Sequence, residues 1–264
     1  MQLELDTLKL SVDDAGLARL VISRSEAANA LDRQMAADFR TVAVQLESTQ
    51  AARAVLITAE GSIFCAGGDL SDFRESDDTY ALVTEMTVDF HAAIAKFSRL
   101  DAPIVAAVSG AAGGAGMSLV AAFDLVVAGE SAKFTMGYTR AGLVPDGSSS
   151  FFLARCVGYK RALDLVLTNR VLTAPEAEAW GLVSRVVPDD DVTAEAEKLA
   201  TSLAKGPTRT FGIAKQVVLA GANSSLEEAM ERESRGIAAA TRTADAEEGI
   251  AAFLDKRRAR FTGE

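Results

Sequence analysis

With 264 residues, 49% of them hydrophobic and 24% charged, the chain carries enough apolar material to bury a large core in one α/β body with an appendage. A formal net charge of −10 argues against the clustered Lys and Arg that phosphate backbones require, so no nucleic-acid partner is expected. Five prolines, 20 glycines and the lack of any low-complexity stretch exclude a disordered chain or a repeat array.

The amino terminus, Met1-Gln2-Leu3-Glu4-Leu5-Asp6, has neither a basic leader nor an apolar signal segment, and no apolar run reaches the ~20 residues that span a bilayer. A cytoplasmic protein with no membrane partner is expected. Leu3, Leu5, Leu8 and Leu10 precede Asp13-Asp14-Ala15-Gly16, and Leu17 to Ser23 then alternates, which predicts a β-hairpin. Met35, Phe39, Val42 and Leu46 fall one turn apart and predict a helix; Ala54 to Thr58 predicts a strand that stops near Gly61. Val83, Met86, Phe90, Ile94 and Phe97 mark a second amphipathic helix, and Pro103 introduces a buried strand from Ile104 to Val108. After Gly110 to Gly116, a helix over Met117 to Ala122 and a strand over Leu125 to Ala128 complete a β-α-β-α-β order. Thr173 and Glu176 form a capping box ahead of Ala177 to Trp180, and Gly181 stops that helix before Leu182 to Val187. From Val192 onward the pattern is helical, broken at Gly206-Pro207 and around Gly221-Ala222-Asn223. The expected division is a core over residues 1–199 and a helical module over 200–264.

Cys65 and Cys156 are the only cysteines and lie far apart, and His91 is the single histidine, so neither a metal nor a redox cofactor is expected. Two glycine turns remain as candidates for chemistry. Phe64-Cys65-Ala66-Gly67-Gly68-Asp69-Leu70 follows a strand, and its small residues let backbone approach a ligand; taken alone it is more simply a tight turn. Gly113-Gly114-Ala115-Gly116 opens a helix, where free N–H groups and the helix dipole favour an anion; taken alone it is more simply close strand-to-helix packing. It lacks the G-x-G-x-x-G and Walker spacings of nucleotide sites. Two separate N–H donors are what thioester chemistry needs, since charge gathers on the thioester oxygen as a Cα proton leaves, and each such donor contributes roughly 3 kcal/mol.

Arg24-Ser25-Glu26-Ala27-Ala28-Asn29-Ala30-Leu31, the Phe64 to Leu70 turn, Gly113 to Gly116, and Leu167-Thr168-Asn169-Arg170 through Trp180-Gly181-Leu182-Val183 stand in an order and spacing that resembles the enoyl-CoA hydratase/isomerase (crotonase) superfamily. The resemblance runs to Phe253-Leu254-Asp255-Lys256-Arg257 and Arg260-Phe261, which look like the family's last helix. It implies the ClpP/crotonase-like α/β fold, repeated ββα units in two roughly stacked sheets, with a C-terminal helical module that assembles homotrimers or homohexamers. It also implies an acyl-CoA thioester as partner, with coenzyme A entering only as part of the substrate. By the same resemblance, the N–H groups of Gly68 and Ala115 form an oxyanion hole, with Gly114 beside them. Ala66, Gly67, Asp69 and Leu70, together with Arg24 and Ala28, receive the adenine and phosphates, and Phe253 and a Lys256 from a neighbouring subunit assist.

Hydratases of this family use two glutamates, and the matching positions here hold Ser118 and Tyr138, neither of which replaces a carboxylate. Asp146, in Gly142-Leu143-Val144-Pro145-Asp146-Gly147, instead stands where some family isomerases, including the ring-1,2-epoxyphenylacetyl-CoA type, have their aspartate. In a site lined by Phe64, Tyr138 and Phe151, this one carboxylate could take a proton from C2 and return it at C4. Without the resemblance, Asp146 is more simply a Pro-Asp-Gly turn residue. Two other readings stay open: an aryl- or acyl-CoA dehalogenase or hydrolase with Asp146 as nucleophile beside Tyr138 and His91, and a non-catalytic acyl-CoA-binding protein. His91, at the edge of its helix's apolar face, is more simply a partly exposed residue without chemistry.

Overall fold

A computed structural model describes residues Met1 to Glu264. The chain opens with β1 (Gln2–Glu4), β2 (Leu8–Val12) and β3 (Leu17–Ile22), paired antiparallel in sequence, so the expected hairpin is present with one more strand ahead of it. The Asp13 carboxylate fastens its turn by accepting the N–H groups of Ala15 and Leu17. Helix α1 (Arg33–Thr49) starts at Asp32, whose side chain accepts the Met35 N–H, and it buries Met35, Phe39, Val42 and Leu46 as expected. Next come β4 (Ala54–Ala59), α2 (Leu70–Glu75), α3 (Thr79–Phe97), β5 (Ile104–Val108), β6 (Ala111–Gly113), α4 (Ala115–Ala122), β7 (Leu125–Gly129) and β8 (Lys133–Thr135). A 3-10 turn over Tyr138–Ala141 leads into α5 (Ser149–Val157), α6 (Tyr159–Thr168), β9 (Leu172–Thr173), α7 (Ala174–Trp180) and β10 (Arg185–Val187). Four helices finish the chain: α8 (Val192–Ala204), α9 (Thr208–Gly221), α10 (Leu226–Ala240) and α11 (Ala244–Leu254). No helix is long and apolar enough to cross a membrane.

The strands form two sheets, a seven-stranded one in the order β1-β2-β3-β4-β5-β7-β10 and a three-stranded one in the order β6-β8-β9. From β3 to β10 every pairing in the large sheet is parallel, with Leu20 beside Ile57, and Val105 beside Leu125. Parallel strands are covered on both faces, which is why β4 and β5 read as continuous apolar runs. Val55, Ile57, Ile104 and Ala106 join the main core, which runs through α1, α3 and α4 to Ala112 and Phe134 of the small sheet. Ala54, Leu56, Val105 and Ala107 point the other way and pack under α8.

The capping box of α7 is present, with the Thr173 hydroxyl and Glu176 carboxylate satisfying each other's backbone N–H, and Gly181 ends the helix in the left-handed region. One element was concealed by the glycine-rich run, whose first part, Ala111–Gly113, is the strand β6 paired with β8. The expected boundary at residue 200 runs through the middle of α8. That helix belongs with the sheet, because Ala196, Ala200 and Ala204 lie against the strands.

Helix α9 is strapped to the core by Lys215. Its ammonium meets the Asp124 carboxylate at 2.7 Å and the carbonyls of Leu100 and Ala102 at 3.0 and 3.2 Å. Asp124 also accepts the Ile104 N–H at 2.8 Å and so fixes the start of β5. Burial pushes the Asp124 carboxyl up from its ordinary value, and the ammonium pulls against that shift. Lys215→Met leaves a partly desolvated carboxylate without its counter-charge and is expected to cost about 3 kcal/mol, read as a lower urea midpoint at unchanged slope. A midpoint equal to wild type would show that α9 is held by its apolar contacts alone.

Candidate active site

The two glycine turns lie against each other, backbone on backbone. The Cys65 carbonyl accepts the Gly113 N–H at 2.9 Å, and Cys65 and Ala112 form a parallel bridge between the turn and β6. A side chain on Gly116 would overlap the Cys65 carbonyl oxygen, and one on Gly113 would stand 2.9 Å from that of Ala66. Gly67 has φ +112, a conformation that residues with a side chain rarely adopt. On the far side of the turn, the Leu31 N–H donates to Gly67 and the Asp69 N–H donates to Leu31, at 2.7 and 2.8 Å. These contacts use the neighbouring amides and leave the Gly68 N–H without a partner in the chain. The Ala115 N–H is also free, as the first donor of α4, at the positive end of that helix.

Gly68 and Ala115 both line a cavity of about 370 Å³. Leu31, Phe73, Val83, Met86 and Phe90 make its apolar wall, and Leu70 and Val144, 53% and 78% exposed, stand at its mouth. Asp146 is the one carboxylate in the lining.

Asp146 is held from several directions. The Tyr138 hydroxyl donates to its Oδ1 at 2.6 Å, and the Ser118 hydroxyl donates to its backbone carbonyl at 2.9 Å. The next N–H, that of Gly147, donates to His91 Nε2 at 3.3 Å, and the same nitrogen lies 3.5 Å from Asp146 Oδ2. Gly147 takes φ +59, and a side chain there would meet the Phe90 ring at 2.7 Å and the Ser118 Cβ at 3.0 Å. The Pro-Asp-Gly turn is therefore clamped between α3 and α4 rather than loose on the surface. Burial first, and then the neighbouring Asp146 carboxylate, push the Tyr138 phenol far up, so it stays a hydrogen-bond donor throughout the neutral range.

Of the residues singled out from sequence, Ala66, Gly67, Gly68, Leu70, Gly114, Ala115, Tyr138 and Asp146 meet at this cavity. Six do not line it. Phe64 is 1% exposed and packs in the main core, because the chain turns inward before the glycines, and Phe151 lines a separate cavity behind Asp146. The aromatic walls are instead Phe73, Phe90 and Tyr138. Arg24 is not a free cation: it pairs with Asp69 at 2.8 Å and with Asp32 at 3.1 Å, and donates to the Ala30 carbonyl. Burial works against the Asp69 charge, but the Arg24 hydrogen bond and the start of α2 hold its carboxyl below the ordinary range. Asp69 is thus both the α2 cap and an anchor for the turn. Ala28, at φ +53, supports the same turn by accepting the Ala66 N–H at 3.1 Å. Phe253, at the end of α11, is 83% exposed, and Lys256 follows it on the surface. His91 is the residue that sequence reasoning set aside; its position beside Phe90, which faces the cavity, was the available signal.

A family model described as enoyl-CoA hydratase/isomerase matches residues 13–264. Over 257 residues the chain is 34% identical to the 1,2-epoxyphenylacetyl-CoA isomerase of Escherichia coli (strain K12), a match covering 97% of this chain and 98% of that one. It is 32% identical over 243 residues to 4-chlorobenzoyl coenzyme A dehalogenase-2 of Arthrobacter, covering 91% and 88% of the two chains. The crystal structure of an enoyl-CoA hydratase from Mycobacterium smegmatis matches with a TM-score of 0.90 at 30% identity, over 97% of this chain and 98% of that one.

The contact between the turns can be tested by adding one methyl group. Gly116→Ala is expected to destabilise the fold by about 2–3 kcal/mol, because the Cys65 carbonyl must move. Gly221→Ala, at the end of α9 with open space around it, should be neutral or stabilising by less than about 1 kcal/mol. Equal melting curves for the two variants would remove steric contact as the reason for glycine at 116.

Proposed function

The chain belongs to the enoyl-CoA hydratase/isomerase family and has its crotonase fold, and on that premise we propose that it shifts a double bond, or isomerises a ring epoxide, in an enoyl-CoA thioester. One observation carries this reading: a single carboxylate, Asp146, shares a mainly apolar cavity with the unpartnered N–H groups of Gly68 and Ala115. The thioester oxygen accepts both N–H groups. Asp146 removes a proton from C2, the electron pair moves toward the oxygen, and the two donors and the start of α4 stabilise the enolate. The same carboxyl returns the proton at C4, which leaves the double bond conjugated with the thioester. Tyr138 keeps the carboxylate aimed through its 2.6 Å hydrogen bond.

Hydration needs a second carboxylate to handle water. The two positions where hydratases carry glutamate hold a fully buried serine, committed to the Asp146 carbonyl, and a tyrosine kept protonated. Supplying the substrate's phosphates with cations falls to residues other than Arg24. The exposed Phe253 and Lys256 fit a role toward a neighbouring subunit, and Leu226, Met230 and Ile237, all exposed on α10, fit a homotrimer or homohexamer assembled through the C-terminal helices.

A second reading rests on a separate observation, the contact of Tyr138 and His91 with the two oxygens of Asp146. In an aryl-CoA dehalogenase, the carboxylate forms a bond to the halogen-bearing ring carbon, halide leaves, and the ester formed is hydrolysed with an imidazole taking the water's proton.

The test is isomerisation of a linear 3-enoyl-CoA, followed by the absorbance of the conjugated 2-enoyl thioester. Asp146→Asn is expected to lower kcat/KM by about 10²–10⁴ while leaving the melting temperature and CoA affinity near wild type. Undiminished turnover would mean that the base lies elsewhere. Chloride release from 4-chlorobenzoyl-CoA in place of isomerisation would favour the second reading, and CoA binding with no turnover of either thioester would favour a binding protein.

A further inference from the structure

Asp146 separates two cavities. One holds the glycine turns; the other, of about 530 Å³, is lined by His91, Arg99, Pro145, Ser148, Ser150 and Phe151 as well as by Asp146 itself. We propose that His91 carries protons between Asp146 and water in this second cavity, so that hydrogen taken from the substrate exchanges with solvent during turnover. The proposal rests on the reading of Asp146 as the base.

The hydrogen bonds give the direction of transfer. Oδ1 of Asp146 is occupied by the Tyr138 hydroxyl, which leaves Oδ2 facing His91 Nε2 at 3.5 Å. The Gly147 N–H points at the same Nε2, which requires a lone pair there and puts the imidazole hydrogen on Nδ1. A carboxylic acid formed at Oδ2 therefore meets an acceptor, and imidazole is intrinsically a stronger base than carboxylate. When the substrate C2–H bond breaks, its proton joins Oδ2 and passes to Nε2, and Nδ1 gives up its own hydrogen to water; the return path reverses these bonds. No electrons are consumed. The His91 side chain is 50% exposed, which gives water that access. Arg99, also exposed, lines the same cavity. The other charged groups on α3 are engaged elsewhere, Glu85 with Arg33, Asp89 with Arg40 and Lys96 with Glu47.

The experiment measures deuterium per molecule of product formed from a linear 3-enoyl-CoA in D2O, by mass spectrometry, beside exchange of the Cα hydrogens of butanoyl-CoA, which needs no double-bond shift. Wild type is expected to incorporate deuterium. In His91→Gln the ratio of deuterium to product falls at least about tenfold, whatever happens to the rate, and added imidazole restores it in His91→Ala. An unchanged ratio in His91→Gln, or wild-type product free of deuterium, overturns the relay while leaving isomerisation intact. Butanoyl-CoA exchange that depends on His91 without isomerisation of the 3-enoyl thioester would keep the relay and sink the double-bond reading; absence of both reactions sinks both.

Discussion

The site depends on a close approach of two stretches of main chain. Where α4 begins, the peptide of Gly116 lies so near the Cys65 carbonyl that no side chain fits between them. That contact joins the end of one β-α crossover to the start of the next and brings two amides from distant parts of the sequence to one cavity. Amides positioned this way need no reorganisation when charge develops on a bound oxygen, which is where most of the value of such a donor pair lies. The large sheet and the two cores that sandwich it serve to hold this contact rigid, since neither turn has a hydrophobic anchor of its own at the glycines.

The carboxylate is placed by a different means. Gly147 in the left-handed region lets its turn settle on Phe90 and Ser118, and hydrogen bonds from Tyr138 and Ser118 then fix Asp146 from both its side chain and its carbonyl. The result is a loop carboxylate tied to both the Tyr138 turn and α4. Arg24 performs the equivalent service for the first turn, joining Asp32 at the start of α1 to Asp69 at the start of α2.

Much of this was legible in the sequence, where a local pattern decides the outcome. The stripe of α1, the capping box of α7 and the double-faced strands β4 and β5 each follow from spacing alone, because burial and capping act over a few residues. The glycine turns were legible as positions where backbone approaches something, though not as approaching each other. What escaped is what only the third dimension supplies. β6 exists because β8, more than 20 residues later, offers it a partner. Arg24, placed by resemblance among the phosphate-receiving residues, pairs with carboxylates 8 and 45 residues away that no local pattern connects to it. Phe64 looked like a wall of the site because it adjoins a glycine turn, yet the chain direction sends its ring into the core.

The packing of Gly147 on Ser118 bears on how such an enzyme changes its chemistry over evolutionary time. Ser118 is fully buried and donates to the Asp146 carbonyl, so a longer side chain at 118 loses that hydrogen bond and competes with the turn for space. Exchanging the side chain at 118 and reseating the turn that carries Asp146 are thus one coupled change rather than two independent ones.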